Sequence, residues 1–228
     1  MLLVASCEAV YFWIMARRRI FLSPLEWLIV LGLGLGLVYG LYSWTASRAD
    51  CVYVPGSLVI EHNDAGVAYL SGTMAGQATC KLRALARSNP EIETLVLVEV
   101  PGTVDLVDTQ AATRLVRKKG WNTVVPRQGL IASGGVMLFL GGVEREVSEG
   151  GRVGVHAWSQ PGGGGVLFSS PENIPANAER AFRQIYRALG IDPDFYDFQV
   201  ESAPANDIHW MTREELARWG VVTASSAL

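Results

Sequence analysis

Short apolar runs separated by turn residues fill the larger part of the chain, and they predict alternating strands and helices. Thr94–Val100 (TLVLVEV) has apolar residues on both faces, as a buried parallel strand does. Asp105 can cap a helix that stops at Gly120, and NTVVP then supplies the next strand. A strand, a helix and a second strand in this order form a crossover. The pattern therefore predicts an α/β domain.

Two strands and a helix are predicted before this crossover. SLVIEH and GVAYLSG read as strands, and QATCKLRALARSNP reads as a helix that ends before Pro90. After the crossover, VGVHAW predicts a short strand that ends at His156. The glycine run that follows it predicts a flexible loop.

The helices carry signals for the faces that they bury and for their ends. The crossover helix is expected to bury Leu106, Ala111, Leu115 and Val116, and ANAERAFRQIYRALG is expected to bury Ala178, Phe182, Ile185 and Leu189. The last predicted helix, TREELARWG, opens with a capping box, in which Glu215 follows Thr212 three residues later.

An uncharged apolar segment, Trp27–Trp44, precedes the α/β region. At about 1.5 Å per helical residue its length is roughly 27 Å, close to the thickness of the hydrocarbon core of a bilayer. Aromatic residues at both ends fit the two membrane interfaces, and Arg17–Arg19 lie before the segment. By the positive-inside rule, the N-terminus is expected in the cytoplasm and the remainder in the periplasm. A cleaved signal peptide is the alternative interpretation.

These signals divide the chain into four parts. Residues 1–23 form a cytoplasmic segment, of which 1–14 are expected to be an annotation artefact because Met15 followed by ARRR is a more conventional start. Residues 24–44 form a single-pass helix in the inner membrane, residues 45–50 a linker, and residues 51–228 the exported domain.

Composition and charge narrow the classes of partner. Half of the residues are hydrophobic, 18% are charged and the net charge is −3, and no basic stripe follows the membrane segment. A nucleic-acid partner is therefore not expected. Gly32, Gly36 and Gly40 have the spacing that lets two membrane helices approach closely, which leaves a homo-oligomer open.

The cysteines bear on compartment and cofactor. Cys7 would be cytoplasmic, whereas Cys51 and Cys80 would share the exported, oxidising compartment and could form a disulfide there. The sequence has no CxxC motif and no His/Cys cluster, so neither a metal nor another cofactor is expected.

One serine stands in a small, apolar stretch, IASGGVMLFLGG (Ile131–Gly142). Ser133 could merely cap a buried helix, because small residues let backbones pack closely. It could instead be a nucleophile at a strand-to-helix junction, with glycines that let a substrate approach. Two other features favour the second interpretation: Pro101-Gly102-Thr103 ends one strand, and His156 ends another after Ser133.

This order of motifs resembles the Clp-protease and crotonase superfamily, in particular small membrane-anchored, periplasm-facing relatives of the Clp proteolytic subunit. The resemblance covers roughly Leu58 to Thr223, through PGT, IASGGV, GVHAWSQPGG and MTREELARWGVVT. It implies a fold of repeated ββα units arranged in a spiral.

The resemblance also implies roles for individual residues. Ser133 would be the nucleophile, His156 the general base and Asp207 the acid that orients it, while backbone N–H groups of Gly102, Thr103 and Gly134 would form the oxyanion hole. Two positions depart from the family pattern. Thr103 stands where a second glycine is usual, and Ser133 is followed by two glycines rather than by a small or medium apolar residue.

Several assignments around this site stay open. Asp197, Glu201 or a backbone carbonyl could replace Asp207 as the group that orients His156. Trp158 and Gly162 are expected to flank the substrate cleft, although a plain surface loop is the alternative. His62 and His209 are interpreted as structural, and Lys118 and Lys119 as favourable charges at a helix C-terminus rather than partners of a serine.

The sequence therefore predicts a membrane-anchored serine peptidase that cuts peptides or unfolded protein segments in the periplasm. The alternative is a non-catalytic or acyl-CoA-related member of the same fold that serves as a scaffold or binding module. An exported compartment lacks the coenzyme A pool, which disfavours acyl-CoA chemistry.

Overall fold

A computed structural model describes residue 51, residues 56–162, 165–168 and 176–223, and Gly34 as an isolated helical residue. The chain divides into two compact units, Met1–Asp50 and Cys51–Leu228. No helix in the described part is both long and apolar enough to span a membrane. Apart from Gly34, the predicted membrane segment at residues 24–44, its flanks and Cys7 lie outside the described residues.

The strands of the described part follow the predicted alternation closely. They are β1 (Val59–His62), β2 (Val67–Ser71), β3 (Thr94–Val100), β4 (Asn122–Val125), β5 (Leu130–Ala132), β6 (Arg145–Val147), β7 (Arg152–Val155), β8 (Ser159–Gly162), β9 (Gly165–Phe168) and β10 (His209–Trp210). Five of the predicted runs therefore contain strands, and the mixed α/β class is confirmed.

The described helices also confirm the main sequence signals. They are α1 (Ala78–Ser88), α2 (Leu106–Lys119), α3 (Gly134–Leu140), α4 (Ala176–Leu189), α5 (Phe195–Ser202) and α6 (Arg213–Arg218). The Asp105 side chain accepts from the Asp108 N–H at the start of α2, and Gly120 ends that helix with φ 71°. The capping box of Thr212 and Glu215 at the start of α6 is confirmed as well.

Two predictions about elements need correction. The strand expected to end at His156 ends one residue earlier, at Val155. The glycine run is not simply a loop, because β8 and β9 pair as an antiparallel hairpin in which Gly162 is opposite Gly165. Helix α5 was not predicted, since its sequence FYDFQVES lacks a clear amphipathic period.

The buried face of α2 also differs from the prediction. Thr109, Ala112, Thr113 and Val116 are buried, whereas Leu106, Ala111 and Leu115 are only partly buried. The two threonines are tolerated there because each hydroxyl group has an acceptor 2.8 Å away, which for Thr109 is Thr103 Oγ1 or the Asp105 carbonyl and for Thr113 is the Thr109 carbonyl. In α4 the expected apolar face is confirmed at Phe182, Ile185 and Leu189.

The main sheet is forked at β3. The first part of β3 pairs in parallel with β4, which continues to β6, and its last two residues pair in parallel with β5. Strand β5 then pairs with β7 in parallel, and β10 closes this branch in antiparallel orientation. On the other side, β2 is parallel to β3, and β1 is antiparallel to β2. The fork therefore places β3, β5 and β7 side by side, all running in the same direction.

Helix α3 lies at the centre of the core. Every residue from Gly134 to Leu140 is buried, and α3 contacts α2 together with β4, β5 and β7. Fully buried side chains from the sheet, among them Leu70, Leu95 and Ile131, complete the same hydrophobic cluster. Because packing surrounds α3 on every side, its position is set with little freedom to shift.

A buried arginine ties the end of the domain to the sheet. The Arg145 guanidinium is 4% exposed and donates to the carbonyls of Val221 (2.8 Å), Gly220 (2.9 Å) and Gly142 (3.0 Å). Burial, and the nearby charge of Arg117, lower the pKa of Arg145 to about 10. It stays protonated at neutral pH, so the segment after α6 is held against β6 by charge-assisted hydrogen bonds.

A disulfide joins the start of the described domain to α1. Cys51 and Cys80 are bonded, with their Cα atoms 5.8 Å apart. The bridge fastens the residue that follows the predicted linker to a helix of the folded domain.

Candidate active site

Three parallel strands end at the same edge of the sheet, and each delivers one of the expected functional segments. Strand β3 leads to Pro101-Gly102-Thr103, β5 leads to Ser133, and β7 leads to His156. Ligand sites in α/β sheets commonly lie outside the carboxyl ends of the strands. The fork of the sheet thus brings together segments that are far apart in sequence.

Ser133 occupies a strained junction between β5 and α3. Its N–H donates to the Gly154 carbonyl (3.1 Å) as the last bond of the β5–β7 pairing, while its own carbonyl accepts from Val136 (3.0 Å) to begin the helix. Serving both elements forces φ to 52° and ψ to −122°, a region that residues with a side chain rarely adopt. The Ser133 hydroxyl does not cap α3 and has no hydrogen-bond partner among the described residues.

The strain at Ser133 gives a prediction about stability. Ser133→Gly is expected to melt above Ser133→Ala by about 2–4 °C, since glycine relieves roughly 1 kcal/mol or more of backbone strain. Thermal unfolding of the two variants measures this difference. The control is Ser148, where φ is not positive. There Ser148→Gly is expected to melt below Ser148→Ala, because glycine costs backbone entropy on folding. A lower melting temperature for Ser133→Gly would contradict the strained geometry.

Three unpaired backbone N–H groups belong to Ser133's chain neighbour Gly134 and to the PGT segment, which packs beside Ser133. Those of Gly102, Thr103 and Gly134 donate no hydrogen bond to any other described residue. A Cβ atom placed on Gly102 would lie 3.5 Å from Ser133 Cβ and 3.8 Å from Ser133 Oγ, and one placed on Gly134 would lie 3.2 Å from the Thr103 nitrogen. Free donors of this kind are what a developing oxyanion requires.

His156 is held in one orientation by a backbone carbonyl. Its Nδ1 lies 2.6 Å from the Ala157 carbonyl oxygen, which can only accept a hydrogen bond. Nδ1 therefore carries the proton, and in the neutral ring Nε2 has the free lone pair. The Ala157 N–H in turn donates to the Ala203 carbonyl (2.8 Å), so the peptide that orients the ring is itself anchored.

The strand register brings Ser133 and His156 to the same end of two neighbouring strands, without a hydrogen bond between their side chains. Ala132 on β5 is opposite Gly154 on β7, so Ser133 lies one residue and His156 two residues beyond this pair. No hydrogen bond joins their side chains in the described part of the chain, where the bond of His156 is to Ala157. In enzymes without bound substrate, such catalytic hydrogen bonds are often long or poorly aligned.

None of the three acids considered from the sequence contacts His156. Asp207 is exposed, and its Oδ1 accepts from the N–H of the next residue, Ile208 (2.8 Å). Asp197 binds the Arg183 guanidinium (2.5 Å), and Glu201 is exposed on α5. A catalytic role for Asp207 stays a prediction that no contact in the structure supports.

Trp158 and Gly162 follow His156 along the chain. The Trp158 indole N–H donates to the Tyr196 hydroxyl (3.1 Å), and its ring stacks on Phe182 with centroids 6.1 Å apart. Gly162 is the last residue of β8 and pairs with Gly165 of β9. The indole of Trp158 therefore packs on aromatic side chains of α4 and α5. This packing holds the chain in place next to His156.

The histidines and lysines interpreted as structural lie in surroundings that suit that role. His209 Nε2 lies 2.9 Å from a carboxylate oxygen of Glu215. Burial would raise the pKa of Glu215, but hydrogen bonds from the Thr212 backbone and from His209 hold it below its usual value. Lys118 and Lys119 are exposed at the end of α2, and His62 is exposed on β1.

The buried threonines of α2 and the Ala157 carbonyl, which support this site, were not predicted from the sequence. Thr109 and Thr113 are fully buried in α2, although polar residues on a helix usually indicate its solvent face. Their spacing of four residues, on the helix that follows the PGT segment, was the available signal. The Ala157 carbonyl could not be singled out, since every residue offers such a group.

No protein-family model matches the chain, and no curated protein sequence is significantly similar to it. Among solved structures, it is similar to a mutant of the 1510-N membrane-bound stomatin-specific protease in complex with a substrate peptide, at 14% identity and a TM-score of 0.46, covering 68% of this chain and 73% of that one. It is also similar to a ClpP1 mutant from Listeria monocytogenes, at 16% identity and a TM-score of 0.47, covering 70% and 90%. An enoyl-CoA hydratase from Bacillus anthracis matches at 11% identity and a TM-score of 0.46, covering 73% and 68%.

These likenesses concern the fold alone, and a Clp-protease- and crotonase-like fold stays what the sequence motifs predict. At these identities and TM-scores, no argument about activity, substrate or individual residues rests on them.

Proposed function

We propose that the chain is a membrane-anchored serine peptidase, with Ser133 as nucleophile and His156 as general base. The observation that carries the proposal is the surroundings of the Ser133 hydroxyl. The hydroxyl is unbonded, sits on a strained strand-to-helix junction, and lies among the free N–H groups of Gly102, Thr103 and Gly134. Backbone strain at a residue with a free nucleophilic side chain is typical of functional sites.

The mechanism follows from the groups present. Ser133 Oγ attacks the carbonyl carbon of a peptide bond while His156 Nε2 accepts the hydroxyl proton. The carbonyl oxygen gains negative charge and receives hydrogen bonds from the free N–H groups, of which Gly102 and Gly134 are the best placed beside Ser133. The imidazolium returns the proton to the departing amine. Water, deprotonated by His156, then hydrolyses the acyl ester and restores the serine.

We assign the orientation of His156 to the Ala157 carbonyl. The 2.6 Å contact fixes the tautomer that the mechanism needs, with the proton on Nδ1 and the lone pair on Nε2. This makes the site a Ser–His dyad supported by a peptide group. Asp207 would join it only if the loop before β10 rearranged.

The proposal extends to location and substrate. Residues 24–44 span the inner membrane with the N-terminus in the cytoplasm, and the ββα domain of residues 51–228 works in the periplasm. The Cys51–Cys80 disulfide supports a non-reducing compartment, where such bonds persist. The substrates are peptides or unfolded segments, since the mechanism needs an accessible peptide carbonyl.

A fluorophosphonate probe tests the proposal directly. We expect covalent labelling of the purified full chain, with the adduct located on Ser133 by mass spectrometry and lost in Ser133→Ala. Ser148→Ala is the matched control, because Ser148 is a partly buried serine at the end of β6 and should label as the unaltered protein does. No labelling of the folded protein would favour the non-catalytic scaffold instead.

A further inference from the structure

The proposed oxyanion hole has two halves: the N–H groups of Gly102 and Thr103 after β3, and the N–H group of Gly134 at the start of α3. The Thr103 side chain connects these two halves. A Cβ atom placed on Gly134 would lie 2.4 Å from Thr103 Cγ2 and 2.7 Å from Thr103 Cβ. The Thr103 methyl group therefore rests on the bare backbone of Gly134. This contact sets the distance between the strand-end donors and the donor at the start of α3.

The Thr103 hydroxyl holds this methyl group in place. Thr103 Oγ1 lies 2.8 Å from the Met74 carbonyl, 2.9 Å from the Asp105 nitrogen and 2.8 Å from Thr109 Oγ1. In the arrangement that pairs the two hydroxyl groups, Thr103 donates to Met74 and accepts from Asp105 and Thr109, and neither hydroxyl donates to the Asp105 carbonyl, which lies 3.0 Å from Thr103 Oγ1 and 2.8 Å from Thr109 Oγ1. A hydroxyl has one proton and two lone pairs, so all of its hydrogen-bonding capacity is used. The side chain cannot rotate without breaking these bonds.

A second threonine of α2 contacts α3, the helix that follows Ser133. Thr113 Oγ1 lies 2.8 Å from the Thr109 carbonyl and 3.2 Å from the Met137 carbonyl of α3. Thr109 and Thr113 are both fully buried. The single Thr113 hydroxyl proton is shared between these two carbonyls, with the shorter contact to Thr109. The contacts therefore close a circuit that runs from Gly134 through the three threonines to Met137, which lies on the same helix as Gly134.

We propose that Thr103, Thr109 and Thr113 form a positioning circuit that fixes the two halves of the oxyanion hole relative to each other. The inference rests on the proposed function. Oxyanion donors act only when they are aimed at the point where charge develops, within about half an ångström. The circuit supplies that rigidity from side chains that do not themselves touch the substrate, so their loss slows the chemical step while substrate binding persists.

Inactivation by the fluorophosphonate over a range of concentrations tests this, because it separates the binding constant KI from the rate kinact. Thr103→Ser removes the methyl group and keeps the hydroxyl, and Thr113→Val removes a hydroxyl at constant shape. Both are expected to lower kinact by on the order of tenfold to 100-fold with KI unchanged. Thr113→Ser restores the hydroxyl and should recover most of kinact.

Thr123→Val is the matched control. Thr123 is also fully buried, and its hydroxyl donates to the Phe139 carbonyl of α3 (2.7 Å), but it approaches from β4 and lies outside the circuit. It should lower the melting temperature about as much as Thr113→Val does, and leave kinact unchanged.

Each outcome decides between the two proposals. No labelling of the unaltered protein would overturn the proposed function and this inference with it. Labelling with unchanged kinact in Thr103→Ser, or equal losses of kinact in Thr113→Val and Thr123→Val, would overturn the inference alone. A loss confined to Thr103→Ser and Thr113→Val, with KI preserved, supports it.

Discussion

Replacing His156 by alanine is expected to lower peptidase turnover by about 10⁴-fold or more, as severely as Ser133→Ala. Without the imidazole, Ser133 Oγ loses the general base proposed for it, and the hydroxyl is a weak nucleophile by itself. The two losses should not add in the double variant, because both residues serve one catalytic unit in the proposed mechanism. Steady-state hydrolysis of an unstructured peptide measures all three variants.

Two further variants sharpen this test. His209→Ala removes a histidine that pairs with Glu215, so it should reduce stability and leave turnover unchanged. Asp207→Asn should also leave turnover near that of the unaltered protein, because Asp207 bonds its own loop and His156 is oriented by Ala157. A loss of about 10⁴-fold in Asp207→Asn would instead assign Asp207 as the orienting acid. Full turnover in His156→Ala would remove the general base from the mechanism.

Gly135→Ala is expected to destabilise the domain by at least about 3 kcal/mol, at the upper end of what overpacking costs. The new Cβ would lie 2.1 Å from the Val100 carbonyl oxygen and 3.2 Å from Val100 Cγ1. Neither partner can move easily, since Val100 is fully buried at the end of β3 and the whole of α3 is buried. Thermal unfolding should show a loss of roughly 6–12 °C.

Gly102→Ala is the matched control for this prediction. Its Cβ would meet only the Ser133 side chain, at 3.5 Å and 3.8 Å, which is ordinary contact. The variant should therefore fold and melt near the unaltered protein, but react more slowly with the fluorophosphonate, because the methyl group crowds the nucleophile. An unchanged melting temperature for Gly135→Ala would contradict the close approach of α3 to β3.

Much of the local structure was predictable because its causes are local. The apolar run Thr94–Val100, the Asp105 cap and the Gly120 stop define β3 and α2 within a few residues of sequence. Elements without such signals escaped prediction. Helix α5 has no clear period, and the hairpin of β8 and β9 was hidden in a glycine-rich stretch that favours a loop.

The sequence also identified the candidates for chemistry: a lone serine before two glycines, a PGT segment after a strand, and a histidine after another. How these candidates are supported became apparent from the folded domain. Pairing of β3 with both β4 and β5 brings the segments to one edge, Thr113 of α2 contacts α3, and Ala157 rather than an acid contacts His156. These contacts join residues that are distant in sequence or use backbone groups common to all residues. Neither kind leaves a local pattern, because packing and hydrogen-bond satisfaction are settled only when the whole domain is assembled.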